Sequence, residues 1–315
     1  MAPPKTQRLE RPRGAWADPL FRAACAGAAT FVLVALSGII IFLTVDGWPA
    51  LQKFGLGFFT STEWNPVTDI YGAAGPIVGT LISSALALAM ALPLAMGIAV
   101  FLVEFCPRAL SRPVAVAVEL LAGVPSIIYG MWGLFVLAPF FAAKIQTPLM
   151  MSVPDGSWLS KLIQGVPNGA NVFTASLILA LMILPYMAAV FRELLLTVPA
   201  QVRESAYALG STPFEAISKV VLPYVRTGSI GVIMLGLGRA LGETMAVTFI
   251  IGNSHVFPKS LFDSGSTLAS TIANEFQEAT GMHSAALVAC GLVLFMITFS
   301  VLAIARGLLS AQRYG

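Results

Sequence analysis

The 315-residue sequence is 57% hydrophobic and only 10% charged, and its mean hydropathy is +0.85. Ordinary soluble domains carry about 25% charged residues, so this composition excludes a soluble globular protein and predicts an integral membrane protein. The net charge of +3 is too small to indicate a nucleic-acid partner. The three cysteines, Cys25, Cys106 and Cys290, lie within or at the ends of apolar segments and predict neither a disulfide framework nor a metal centre.

Six apolar segments are long enough to cross a bilayer, which requires about 20 residues. Because lipid offers no partners to the backbone, each segment is predicted to be a helix, and the fold class is all-α integral membrane with six transmembrane helices. The segments are 23–45, 72–103, 114–141, 172–191, 227–252 and 284–305. Pro93 lies inside the second of them, which predicts a kinked or tilted helix there.

The distribution of basic residues predicts the orientation of these helices, because cytoplasmic loops are enriched in Lys and Arg. With both termini in the cytoplasm, thirteen basic residues lie on the cytoplasmic side and four on the outer side. Residues 1–22 are predicted to be a cytoplasmic tail, since the apolar run that follows is too long for a cleaved signal peptide. The remainder divides into a first helix with an outer loop, 23–71, and a five-helix core, 72–310, that contains the cytoplasmic loop 199–223.

The loop 199–223 contains the start and stop signals of two short helices. A helix is predicted over 200–209, with Gly210 ending it. Residues 212–215 have the pattern of a capping box with proline at the first helical position, which begins a second helix that Pro223 is expected to close. Two amphipathic helices at the membrane surface would form a knob for a soluble partner; the alternative is a plain solvated connector.

The fifth apolar segment contains two charges, Arg239 and Glu243. A charged residue near the bilayer centre costs about 2.5–3.5 kcal/mol, so it rarely faces lipid. The two residues are four apart, which predicts that they share a helix face and pair. Either the pair neutralises itself and locks the bundle, or it faces a route for a solute, where Arg239 offers donors suited to a tetrahedral oxyanion.

The third apolar segment contains a second candidate for this route. Glu119 either reaches the cytoplasmic interface or contributes to a gate. Pro125 is expected to open the helix and to leave carbonyls that Ser126 or a neighbouring helix must satisfy. We predict that Glu119, Ser126 and Tyr129 lie on the substrate pathway together with the charged pair of the fifth segment.

The sequence contains no G-x-x-x-x-G-K-[ST] phosphate loop, so the chain is not expected to hydrolyse ATP or to bind a cofactor. His255 and His283 lie in the last outer loop without metal-ligand spacing and are predicted to be surface residues. The segment 271–278 is predicted to be a short surface helix, which either meets an extracytoplasmic partner or serves only in packing.

The loop 199–223 resembles the coupling loop of ABC importer permeases, whose pattern is E-A-A, three residues, G, nine residues and I-x-L-P. The chain departs from it at Ser205 and Val220. The matching positions, which the resemblance assigns to coupling with an ATPase, are Glu204, Ala206, Gly210, Leu222 and Pro223.

Four further runs are similar to the C-type permeases of phosphate-specific ABC importers. They are 69–72, 119–135, 236–253 and 273–276, and the likeness extends from about residue 38 to 305. It implies a type I ABC importer permease fold (MetI-like) in the bacterial cytoplasmic membrane, with substrate passing Arg239 and Glu243. The implied partners are an A-type permease, two ATP-binding subunits that hydrolyse the ATP, and an extracytoplasmic phosphate-binding protein. The alternatives are a permease for another oxyanion, such as sulfate or molybdate, and a transporter or channel without an ATPase.

Overall fold

The computed structural model describes residues 17–154 and 156–311, and helices dominate both ranges. A two-residue antiparallel hairpin pairs β1 (Trp64–Asn65) with β2 (Ile70–Tyr71). The helices are α1 (Ala17–Phe54), α2 (Gly57–Thr60), α3 (Ala74–Phe105), α4 (Arg108–Ala122), α5 (Ser126–Ser152), α6 (Trp158–Ile163), α7 (Val172–Leu196), α8 (Ala200–Ala208), α9 (Pro213–Tyr224), α10 (Arg226–Leu241), α11 (Met245–Ile250), α12 (Leu268–Glu275) and α13 (Met282–Ala311).

Five of the described helices, α1, α3, α5, α7 and α13, are long and apolar enough to cross a membrane. A sixth crossing exists if α9 and α10, which meet at an angle of 73°, count as one span. Of the predicted tail 1–22, residues 1–16 lie outside the described residues, and α1 is already helical from Ala17. Asp18 in its first turn and Lys53 in its last turn complement the helix dipole, which supports a helix longer than the predicted apolar run.

The centre of the bundle is the pair α3 and α7, which pack against each other more extensively than any other described pair. On α3, Ala87, Ala91, Ala95 and Ala99 recur every fourth residue and are fully buried. Small side chains at this spacing form a flat stripe that lets two helix backbones approach closely. This pair is therefore the rigid element to which the other helices attach.

The predicted third and fifth spans are wrong in their bounds. The segment 114–141 is broken at 123–125, so its first part belongs to α4 and the crossing helix is α5. Pro125 causes this break, because it has no N–H and adopts a non-helical backbone with ψ of 136°. The segment 227–252 is likewise interrupted at 242–244, between α10 and α11.

Each π-helical turn in the described residues ends two positions before a proline. The turns are Phe101–Phe105, Gly133–Leu137, Ala142–Gln146 and Ile217–Val221, and the prolines are Pro107, Pro139, Pro148 and Pro223. Where the helix continues through the proline, as at Pro139, Pro148 and Pro223, the ring clashes with the carbonyl four residues earlier, and widening the preceding turn relieves that clash. The end of α9 agrees with the prediction to within one residue: the π-helical turn carries the helix through Pro223 to Tyr224, and the chain bends at Val225 before α10.

The two ends of α3 define the two ends of the bundle. The hairpin end contains β1, β2, the first turns of α3 and the loop 252–265. There Gly75 and Gly79 lie directly against carbonyl oxygens of that loop and its continuation, so that a Cβ at either position would clash. The loop end contains the last turn of α3, the end of α7 and the loop 199–223.

Candidate functional site

The loop 199–223 folds into the two short helices that its sequence predicts. The first, α8, ends at Ala208, one residue earlier than expected, and Gly210 follows with a φ of +88°. Only glycine adopts this left-handed conformation without strain. The capping box is confirmed: the Thr212 hydroxyl accepts from the Glu215 N–H, and the Glu215 carboxylate accepts from the Thr212 N–H at 3.1 Å. That carboxylate also binds Lys219, and these contacts lower the pKa of Glu215 below its ordinary value.

The surface of this loop is unusually apolar at its tip. Leu209 and Phe214 are 88% and 78% exposed, although both are large hydrophobic residues. Ala206 is buried, Leu222 is partly buried against the core, and the remaining positions of the predicted motif are exposed: Glu204, Gly210 and Pro223. Exposed apolar side chains on a defined helical knob indicate a protein-binding surface.

Arg203 anchors the loop to the bundle, a role that its sequence context did not indicate. Its Nε donates to the Glu104 carboxylate at 3.0 Å. Its Nη1 and Nη2 donate to the carbonyl oxygens of Val198 and Leu195, each at 2.8 Å. The two charged side chains are only 20% and 10% exposed. The sequence predicts Arg203 only as one of the basic residues on the cytoplasmic side. Its partner Glu104 lies 99 positions away in the chain, so no local pattern indicates their contact.

The predicted pair of Arg239 and Glu243 does not form. Within the described residues no ion pair joins them. The reason is that α10 ends at Leu241, so Gly242 and Glu243 lie outside the helix that carries Arg239. The rule for residues four apart applies only where the helix continues. Glu243 instead accepts from the Ala246 N–H at 3.1 Å and caps the first turn of α11.

Arg239 faces the break between α4 and α5. Its Nη2 lies 3.5 Å from the Ala122 carbonyl oxygen, and its guanidinium stands 5.2 Å from the ring centre of Tyr186 on α7. The neighbouring Leu121 carbonyl accepts from the Tyr129 hydroxyl at 3.0 Å. The carbonyls opened by Pro125 are thus satisfied by Tyr129 and by a neighbouring helix, whereas the Ser126 hydroxyl makes no described hydrogen bond.

The two helix breaks, 123–125 and 242–244, belong to elements that pack closely. Gly130 on α5 touches the backbone of Ala246 on α11, and a Cβ there would come within 2.9 Å of the Ala246 Cα. Glu119, on α4, is about half exposed, and its carboxylate lies 3.8 Å from Arg192 on α7. Among the predicted pathway residues, Arg239 and Tyr129 therefore contact neighbouring carbonyls at the same break, between α4 and α5. Glu119 instead links α4 to α7.

An open groove of about 930 Å³ runs beside α10 and is bounded by α7 and α13. Its walls are mainly apolar, and its charged residues are Glu193, Arg239 and Arg306. Gly231 and Gly238 keep one wall flat, since a Cβ at either position would meet nothing within 4 Å. An anion in this groove would find two cationic side chains and one anionic side chain.

The hairpin end holds a cluster that the sequence did not predict. The Glu275 carboxylate contacts Nε1 of Trp64 at 2.8 Å, Nε2 of His255 at 2.8 Å and Nε2 of His283 at 2.7 Å. The histidine side chains are 22% and 13% exposed, so their prediction as surface residues is wrong. Burial raises the pKa of Glu275, but the hydrogen bonds from His255, Trp64 and His283 outweigh it and leave that pKa below its ordinary value.

The rings of this cluster stack as well as hydrogen-bond. Trp64 lies against His255, and Tyr71 lies against His283, with ring centres 5.2 and 5.3 Å apart. Burial, with the nearby Asp69 and Glu275 charges, raises the pKa of Tyr71 to about 12. The predicted surface helix 271–278 is α12, which starts at Leu268; its first four residues are buried and serve in packing, while Phe276 beyond it is 54% exposed.

Comparisons with known proteins agree with this architecture. The family described as "Binding-protein-dependent transport system inner membrane component" matches residues 91–313. The phosphate transport system permease protein PstC of Mesorhizobium japonicum is 52% identical over 299 residues, which cover 94% of this chain and 91% of that protein. The protein of the same name from Pasteurella multocida is 52% identical over 287 residues, covering 91% of this chain and 90% of its own.

Two solved structures are similar in fold. A chain of a bacterial alginate ABC transporter, in complex with an alginate pentasaccharide-bound periplasmic protein, has a TM-score of 0.60 at 16% identity and covers 93% of this chain and 96% of its own. A chain of the MetNI methionine ABC transporter in an inward-facing conformation has a TM-score of 0.52 at 16% identity, covering 76% and 94%. At such low identity these likenesses show a shared fold alone.

Proposed function

The chain belongs to the family of binding-protein-dependent transport system inner membrane components, and we propose that it is the transmembrane subunit of an ATP-driven importer of inorganic phosphate. The observation that carries this proposal is the 52% identity, over nearly the whole chain, to a phosphate transport system permease. A permease for sulfate or molybdate is not favoured, since relatives at 47–52% identity over more than nine-tenths of this chain are named for phosphate transport.

The proposed complex lies in the bacterial cytoplasmic membrane, with the loop end and both termini inside. The excess of basic residues on that side, thirteen against four, supports this orientation. Two ATP-binding subunits would hydrolyse the ATP and dock at the loop tip, where Leu209 and Phe214 are exposed. A related A-type permease would complete the bundle, and a phosphate-binding protein would meet the hairpin end. This chain itself would bind no cofactor.

The proposed route for phosphate passes Arg239. Its guanidinium has five donors, and within the part of the chain that the structure describes it makes one long hydrogen bond, to Ala122, and one contact with the Tyr186 ring. Phosphate oxygens are strong acceptors that match the planar fork of an arginine. An anion bound at Arg239 would compete with the Ala122 carbonyl, so passage of phosphate would loosen the contact between α10 and the break before α5. Glu243 caps α11 here and does not neutralise Arg239.

The test is uptake of labelled phosphate, with sulfate as competitor, in cells that lack only their own copy of this subunit. Restored uptake that excess sulfate leaves unchanged is the expected result. Restored uptake that sulfate suppresses would reassign the substrate to another oxyanion. Failure to restore uptake, although the chain assembles with the ATP-binding subunits, would contradict the assignment to phosphate.

A further inference from the structure

Arg203 joins three separate parts of the molecule at one guanidinium. The residue belongs to α8, the first half of the loop. Through Nε it binds Glu104, in the last turn of α3, and through Nη1 and Nη2 it binds carbonyl oxygens at the end of α7. The last carbonyls of a helix have no partners within that helix and lie at its negative end, so a cation is favoured there.

The chemistry of this contact requires an arginine. Three donor nitrogens in one plane reach a carboxylate and two carbonyls at 2.8–3.0 Å. The single nitrogen of a lysine cannot reproduce that fixed fork. The side chains of Arg203 and Glu104 are also largely covered, at 20% and 10% exposed, so the pair is not itself a docking surface.

The two halves of the loop are attached to different helices. Arg203 ties α8 to α3 and α7, the most extensively packed pair of the described bundle. In contrast, α9 continues into α10, which carries Arg239, through a bend of 73°. A force applied at the loop therefore has two paths: one through the connector 197–199 and Arg203 into the rigid pair, and one through Val225 into α10, which carries Arg239.

We infer that Arg203 and Glu104 form a strut that carries displacement of α8 to the helix pair α3 and α7. Arg203 is then a positioning residue for the coupling between ATP hydrolysis and transport. This inference rests on the proposed function, because it assumes that an ATPase moves the loop. Without the strut α8 would move while the central pair stayed in place, and ATP would be hydrolysed without transport.

The experiment measures ATP hydrolysis and phosphate uptake by the complete importer in proteoliposomes, with assembly checked by co-purification. Arg203→Gln and Arg203→Lys should raise the ATP hydrolysed per phosphate transported by about tenfold, within the usual range for coupling between two sites. Lys219→Gln is the matched control, because it removes the exposed ion pair with Glu215 on the same loop, where the two side chains are 71% and 41% exposed. The control should leave the ratio unchanged.

Glu104→Gln provides an independent arm, since it leaves the two carbonyl contacts of Arg203 in place. Its ratio should rise less than that of Arg203→Gln, and the double variant should be no worse than Arg203→Gln alone, as expected for two members of one contact. If the ATP hydrolysed per phosphate transported is unchanged in both Glu104→Gln and Arg203→Lys, the inferred role of the strut in coupling is wrong. This outcome can be read even where Arg203→Gln does not assemble. Failure of the wild-type complex to take up phosphate would instead refute the proposed substrate, and the ratio is then measured with the oxyanion that is transported.

Discussion

The loop end and the hairpin end are each fastened by one charged side chain with three partners. At the loop end Arg203 donates to a carboxylate and two carbonyls. At the hairpin end Glu275 accepts from an indole and contacts two imidazoles. The geometry is similar but the chemistry is opposite, because arginine stays charged at every accessible pH, whereas a carboxylate titrates. Two of the three contacts at the loop end, those with carbonyl oxygens, therefore do not titrate, whereas every contact at the hairpin end involves the titratable Glu275 carboxylate.

Arg239 differs from both. It lies in a helix between the two ends, and among the described residues it has one hydrogen bond, of 3.5 Å, and one aromatic contact. Buried charges that serve only to hold a structure together are normally fully hydrogen-bonded, since an unsatisfied one is costly. The comparison thus separates two charges that have three partners each from Arg239, which we propose as the charge that binds phosphate, and the following changes test that separation.

Arg239→Gln should have the largest effect. Removing the available charge is expected to lower phosphate uptake by about 10- to 100-fold, the loss that corresponds to a hydrogen bond with a charged group. Uptake and assembly are measured together. Glu243→Gln is the matched control, because the remaining amide oxygen can still cap α11. Near-normal uptake in Arg239→Gln would make Arg239 a structural residue like the other two.

Gly210→Ala tests the geometry of the loop end without touching the strut. An L-residue at a φ of +88° is strained by about 1 kcal/mol or more, so α8 and α9 should shift relative to each other. We expect uptake to fall while ATP hydrolysis continues, and a change at Glu204 should act in the same direction. Gly27→Ala, at a helical position with nothing within 4 Å of the new Cβ, should be neutral. Equal transport in both variants would contradict the role of the loop.

Glu275→Gln should destabilise the hairpin end. The glutamine keeps one oxygen for three former partners, and losing charged hydrogen bonds costs about 1.5–3 kcal/mol. Thermal unfolding of the purified protein measures the change. Glu278→Gln is the control, because Glu278 is exposed and its side chain has no hydrogen bond among the described contacts. Identical midpoints for the two variants would show that the cluster contributes nothing to stability.

The pH dependence should be the smallest effect and should arise at the hairpin end. The pKa of Glu275 in the folded protein lies below its ordinary value of 4.5, so its contribution to stability is complete above that value and is lost as the pH falls towards the lowered pKa. Unfolding midpoints between neutral pH and pH values below 4.5 should therefore fall more steeply in the wild type than in Glu275→Gln. Parallel curves would remove the proposed difference between the two ends.

The sequence predicted the local features of this molecule and missed the long-range ones. The capping box at Thr212 and the turn at Gly210 are encoded within a few residues, so both were confirmed. The contact of Arg203 with Glu104 spans 99 positions, and that of Trp64 with Glu275 spans 211. Such contacts depend on how helices pack, which no local pattern contains.

Local rules also failed where a helix ended or widened unexpectedly. The spacing of Arg239 and Glu243 predicted a pair, but Gly242 ends the helix between them. Pro223 predicted the end of α9, and the helix ends one residue later, at Tyr224, because the π-helical turn before Pro223 relieves the clash of its ring. The position of the break at Pro125 was predicted correctly, yet the residue that reaches it from another helix, Arg239, was expected to contact Glu243 instead.

The π-helical turns have a consequence for how α5 presents its side chains. Each α-helical residue advances the side-chain direction by about 100°, so one surplus residue rotates everything that follows by that amount. The two turns Gly133–Leu137 and Ala142–Gln146 therefore divide α5 into three stretches with different rotational phases. The face that packs on α11 near Gly130 is not the face that continues beyond Gln146. A single helix thus presents side chains to successive neighbours in three directions, and a one-residue deletion in either turn would rotate its distal part away from its contacts.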